Sequence, residues 1–217
     1  NGKPAFARSR SGEEELWVCL LEKAWAKLHG SFANTQGGLP DVAMCHLSGQ
    51  PAWSVDHEMA ESGNIDNLWR KLVQFDRKDY TIVCSSRGHG EAQNMNGIVA
   101  GHAYTISSVI DDFMYQDQKV RLVKLRNPWS KIEWNGPWSD HSNLWTDELR
   151  EKLGCKRGED GWFFMPFELY IENFDNTSIC VSADRSLYAN NETIVDMTSR
   201  NRAFFSFNLV DNINTNR

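Results

Sequence analysis

The spacing of apolar positions divides the chain into helix-like and strand-like stretches. From Glu13 to His29, Leu16, Leu20, Leu21, Ala24 and Leu28 fall on one helical face, with Ser11 and Glu14 as a capping box and Gly30 as the stop. A stretch rich in Gly, Asn and Pro reads as a loop through about Gly49. A second helix is expected where Ile65, Leu68, Trp69, Leu72 and Phe75 return at helical spacing. The β-branched run "YTIVC" (80–84) reads as a buried strand, followed by the polar, glycine-containing stretch 86–97, a candidate flap. Residues 103–110 and 119–126 alternate as strands joined by the polar "DDFMYQDQ", which predicts an antiparallel hairpin. Residues 127–140 read as an aromatic turn region. After it come a short helix at 143–153, a strand near 162–165, a helix from Pro166, and strands near 177–182 and 203–209. The sum is an α+β fold in which helices flank an antiparallel or barrel-like sheet.

Composition narrows the class. With 217 residues and 41% hydrophobic content the chain can bury one sizeable core. Nine Trp and eleven Phe favour a dense core, or grooves that hold extended ligands. A net charge of -6 without a basic tract argues against nucleic acid as the partner. No apolar run is long enough to span a membrane. Five cysteines, odd in number and without a CxxC pair, point away from a disulfide framework or a zinc knuckle and toward a reducing, cytoplasmic setting. The chain starts without methionine and with no signal-like segment, which suggests a piece of a longer protein.

The candidate chemistry lies at one end of the expected hairpin. His102 opens its first strand, behind Gly101, and Asn127 follows its second strand, so the two should be neighbours at the same end of the sheet. An imidazole oriented by a carboxamide is the base half of a Cys-His-Asn hydrolase. Trp129, two residues on, could cover that hydrogen bond and exclude competing water. His46, His57, His89 and His141 lack ligand-like spacing and read as surface residues.

Taken together, "GHAY" (101–104), "RNPW" (126–129) and "EWNGPWSD" (133–140) resemble the second half of the protease core of calpains, the calcium-dependent cysteine peptidases. "LLEKAWAKLHGSF" (20–32) and "GEDGWFFMPFELYIENFD" (158–175) extend the likeness over most of residues 1–182, while 183–217 reads as a C-terminal extension or the start of a following β-domain. The resemblance implies the His/Asn half of a papain-like core, with His102 as general base, Asn127 as its orienter, Trp129 as shield and Gly101 offering backbone contacts to substrate.

The nucleophile is then expected on a preceding subdomain, in a Gln-x-Gly-x-Cys-Trp setting that this chain lacks. The fragment alone should hydrolyse nothing, and its partners would be the cysteine-bearing subdomain and protein or peptide substrates. Cys45, beside His46, is the one cysteine that reads as lying in a loop, but adjacent side chains rarely form a nucleophile-base pair. The family's calcium ligands correspond to Glu133, Asp140, Asp160 and the Gly158 carbonyl, with Trp162 where a further acid is common. A rival reading is a calpain-like module kept for binding or regulation; a weaker one is a papain- or transglutaminase-like relative.

Overall fold

A computed structural model describes residues 16–58, 65–90 and 96–181. Its elements run α1 (Trp17–Leu28), a 3-10 turn (Ala33–Thr35), α2 (Pro40–Ser48), β1 (Ala52–Asp56), α3 (Ile65–Arg77), β2 (Thr81–Ser86), β3 (Ala103–Tyr115), β4 (Gln118–Arg126), α4 (Asp147–Leu153), β5 (Trp162–Pro166), α5 (Phe167–Asn173) and β6 (Phe174–Cys180). The Ser11–Glu14 capping pattern, the strand expected near 203–209 and the 183–217 extension lie outside the described residues.

The six strands form one sheet in the order β1-β6-β2-β3-β4-β5, with every neighbouring pair antiparallel. Among the described residues the sheet is open, with β1 and β5 as its edges. Strand alternation covers both faces: Val123, Leu125, Phe163 and Met165 pack with Leu72 of α3 and Tyr170 of α5, while Leu122 and Phe164 turn the other way to Phe113, Trp138 and Trp145. Arg121 ties the first layer together, donating to Asp66 of α3 and Glu168 of α5 while lying over the rings of Trp69 and Phe167.

Several expectations shift. The first hairpin strand continues to Tyr115, through the stretch read as its connection. Asp111 is held in the strand by Trp69 Nε1–H (2.6 Å) and Lys119 (3.1 Å), and the turn is only Gln116–Asp117, both left-handed at φ 48° and 61°. The region read as a loop before Gly49 contains α2, with Pro40 in its first turn and Gly49 as a left-handed C-cap bonded to the Cys45 carbonyl at 2.8 Å. "AWSVD" is too short to show a clear alternation in the sequence, yet it forms β1. His46, His89 and His141 are exposed, but His57 is fully buried. Its Nδ1–H donates to the Phe174 carbonyl at 2.7 Å, and Nε2 accepts from the Thr177 hydroxyl at 2.8 Å.

Candidate active site

His102 is set at the point where β3 leaves a tight turn. Gly101 has φ +62°, and a Cβ there would lie 3.0 Å from the Gly88 carbonyl oxygen and 3.2 Å from His89 Cα. Only glycine lets the 88–90 backbone pass this close. The backbone of His102 is bound on both sides by Ser86 at the end of β2: the His102 N–H donates to Ser86 Oγ (2.9 Å) and the Ser86 N–H donates to the His102 carbonyl (3.0 Å). The imidazole is 7% exposed and packs edge-on against Tyr104.

Asn127 follows β4 and lies at the same end of the sheet, as expected. It is not the registered partner of His102: Thr105 pairs with Arg126, and the Asn127 N–H bonds instead to the Gly161 carbonyl at 2.8 Å, on the β5 side. The side chains meet all the same, with His102 Nε2 3.1 Å from Asn127 Oδ1. The amide orientation follows from its other bonds. Nδ2 donates to the Lys131 and Ile132 carbonyls (2.9 and 3.0 Å), and Oδ1 accepts from the Trp129 N–H (3.0 Å). Facing His102 is therefore an acceptor, so Nε2 carries a proton, and in the neutral ring Nδ1 is the basic nitrogen. Trp129 lies against the imidazole with ring centroids 4.4 Å apart and is 37% exposed, a cover with one face in solvent.

Sequence reading missed three supports of this pair: Ser86, the carbonyls of 131–132, and Gly161. A Cβ on Gly161 (φ +90°) would lie 2.7 Å from Ser130 Cα and 2.8 Å from the Asn127 carbonyl oxygen. The glycine of "EDGW" was the available signal, but what it must clear is set by the distant loop that carries Asn127 and Ser130.

Comparison with known proteins assigns a family. The model of the calpain family of cysteine proteases matches residues 1–181. This chain belongs to the calpain family. It is 38% identical over 186 residues to the calpain-type cysteine protease ADL1 of Oryza sativa subsp. japonica, covering 82% of this chain and 8% of that protein. It is also 36% identical to rat (Rattus norvegicus) calpain-9 over 169 residues, and to the rat calpain-1 catalytic subunit over 183. Those matches cover 76% and 83% of this chain but only 24% and 25% of the rat proteins.

In this calpain-family chain Glu133 is linked to Asn127 through Gly161, while Asp140 and Asp160 line one cavity. Glu133 Oε1 accepts the Gly161 N–H, Asp160 Oδ1 accepts the Trp162 N–H at 3.0 Å, and Asp140 Oδ1 lies 3.8 Å from the Cys155 thiol. Burial, and then the neighbouring Asp140 and Asp160, push the Glu133 carboxyl up to about 6; burial, and then Asp160, push Asp140 up to about 6. Asp160 is thus close enough to disfavour the charge of both Glu133 and Asp140. Among the described residues no three His, Cys, Asp or Glu side chains gather tightly enough to hold a metal ion as they stand. Gly158 is half-buried with φ +127°, and Trp162 receives Lys124 and Arg126 over its ring.

The five cysteines stand on α1, α2, β2, β6 and the segment after α4. Cys45 is inside α2, not in a loop, and its neighbour His46 projects from a different side of the helix. Burial pushes the Cys84 thiol far up and that of Cys155 up to about 11, the wrong direction for a thiolate. Cys19 is in α1, and Cys180 is buried at the end of β6. Next to His102, Ala103 borders a groove of about 610 Å³ walled by Leu21 and Trp25 of α1 and Leu39, Val42 and Leu47. Its lining is mainly apolar.

Proposed function

We propose that this chain is the His/Asn-bearing half of a calcium-dependent cysteine endopeptidase, and that His102 is its general base. The single observation that carries the reading is the His102–Asn127 hydrogen bond at 3.1 Å, in which the amide oxygen accepts from Nε2–H, so that Nδ1 is the basic nitrogen of the neutral ring. A cysteine from a preceding part of the protein supplies the sulfur. His102 Nδ1 takes the thiol proton, and the thiolate adds to the peptide carbonyl carbon. The proton then passes to the departing amine nitrogen as the C–N bond breaks, leaving a thioester. A water molecule, deprotonated by the same nitrogen, hydrolyses that thioester and returns the thiol.

Asn127 holds the imidazole, Trp129 limits water around the hydrogen bond, and Gly101 offers backbone contacts to an extended peptide. The groove at Ala103 suits an apolar side chain of that peptide. Five free thiols support a reducing cytoplasmic setting, and among the described residues no helix is long and apolar enough to cross a membrane.

Glu133, Asp140, Asp160 and the Gly158 carbonyl would hold Ca²⁺, whose preference for hard oxygen donors matches this set. When bound, the ion would supply a positive charge among these acids. Trp162 in place of an acid makes the binding weaker.

The reading is tested on the full-length protein with a peptide substrate. His102→Ala should lower kcat by at least about 100-fold; a variant that cleaves like wild type removes His102 as the base, and a wild type that cleaves nothing favours a binding module. Calcium at pH 7 should raise the melting temperature, and by less in Glu133→Gln. Superimposable melting curves with and without calcium would remove the ion from this half.

A further inference from the structure

We propose that Ser86 is a positioning residue for His102, an inference that rests on His102 being the base. Ser86 is 1% exposed and stands where β2 stops pairing regularly with β3: Ser85 and Ala103 are the last registered pair. At the next position the His102 N–H meets a side-chain hydroxyl instead of a ladder carbonyl. That hydroxyl sends its own proton to the Val99 carbonyl. Val99 is held from its other side as well, since its N–H donates to the Tyr104 hydroxyl at 2.9 Å. One buried oxygen therefore joins the strand that ends at 86, the turn that runs through 99–101, and the residue that carries the imidazole.

The residue after this serine is tied down at three points. Arg87 donates from its backbone N–H to the Asn173 carbonyl (3.0 Å) and from Nη2 to the Ile171 carbonyl (3.2 Å), and pairs with Asp175 at 3.6 Å. These bonds seat the end of β2 on α5 and β6. On the turn's other side, the left-handed Gly101 touches the 88–90 backbone. With the hydroxyl removed, a buried N–H and a buried C=O lose their partner together, and the turn relaxes to satisfy them. His102 moves with its backbone, and the 3.1 Å contact to Asn127 is what is lost. The Ser86 hydroxyl is buried against the backbone of Val99 and His102, so its removal acts through His102, on the chemical step and not on peptide binding.

The test compares wild type, Ser86→Ala, Ser86→Thr and His102→Ala in the full-length protein. Ser86→Ala should reduce kcat by about 10- to 100-fold with KM within about twofold, and Ser86→Thr, which keeps the hydroxyl, should restore most of the loss. Thermal unfolding establishes that each variant is folded at the assay temperature. If Ser86→Ala does not fold, Ser86→Cys replaces it: similar in size, with a far weaker hydrogen-bonding group, it should show the same fall in kcat. An Ala or Cys variant with wild-type kcat, alongside an inactive His102→Ala, overturns the role of Ser86. A fully active His102→Ala would instead overturn the reading of His102.

Discussion

At the scale of single residues, Asn127 shows how fully one side chain can be determined by its surroundings. It is completely buried, its carboxamide nitrogen faces two carbonyl oxygens, and its oxygen faces two N–H groups. Asparagine is the residue that satisfies both halves at that size. Asn127→Asp should therefore be costly despite its near-identical shape, because the new carboxylate presents an acceptor to the Lys131 and Ile132 carbonyls in a buried site. We expect a loss of about 3 kcal/mol in urea unfolding at pH 7 together with greatly reduced peptidase activity. Wild-type stability in that variant would show that the amide has been oriented the wrong way round. The residue types of the site were legible in the chain: a histidine behind a glycine, an asparagine before a proline, and a tryptophan two positions on. Ser86 was not, because a serine ending an apolar strand looks the same whether its hydroxyl meets water or a backbone N–H 16 residues later.

Among the elements, the helices and strands with strong periodicity appear where the pattern puts them, and α3 is the clearest case. The errors come from elements whose character is decided by neighbours. The outer half of β3 carries two aspartates, which local composition assigns to a turn, yet Phe113 is buried and Asp111 has partners on α3 and β4. β1 exists because β6 offers it an edge, and its last residue leads directly into His57. That histidine is kept below its ordinary value of 6.5, first by burial and then by Arg87, against the opposing pull of the Phe174 hydrogen bond, Asp56 and Asp175. A base whose folded value is lowered takes its proton more readily in the unfolded chain. The stability it contributes is thus present above pH about 6.5 and is lost as pH falls below it. Unfolding free energy should accordingly drop more steeply between pH 7 and 5 in wild type than in His57→Gln. Parallel slopes in the two proteins would mean that His57 does not titrate with unfolding.

For the molecule as a whole, the described residues hold an open sheet covered on both faces, with the hydrogen-bonded His102–Asn127 pair at one end. The isolated chain should cleave no peptide, with or without calcium, in a fluorogenic assay; turnover that survives in a cysteine-free variant of the chain would contradict a thiol mechanism altogether. The sequence by itself determined the fold class, the calpain family and the identity of the His–Asn pair, because these depend on residue types at short spacing: apolar period, glycine before histidine, proline after asparagine. Only the tertiary structure decided which nitrogen of His102 is basic, that Glu133 and Asn127 are joined through Gly161, and that His57 is buried. Each of those depends on backbone groups brought together from segments far apart in the chain, and such groups carry no mark in the order of side chains.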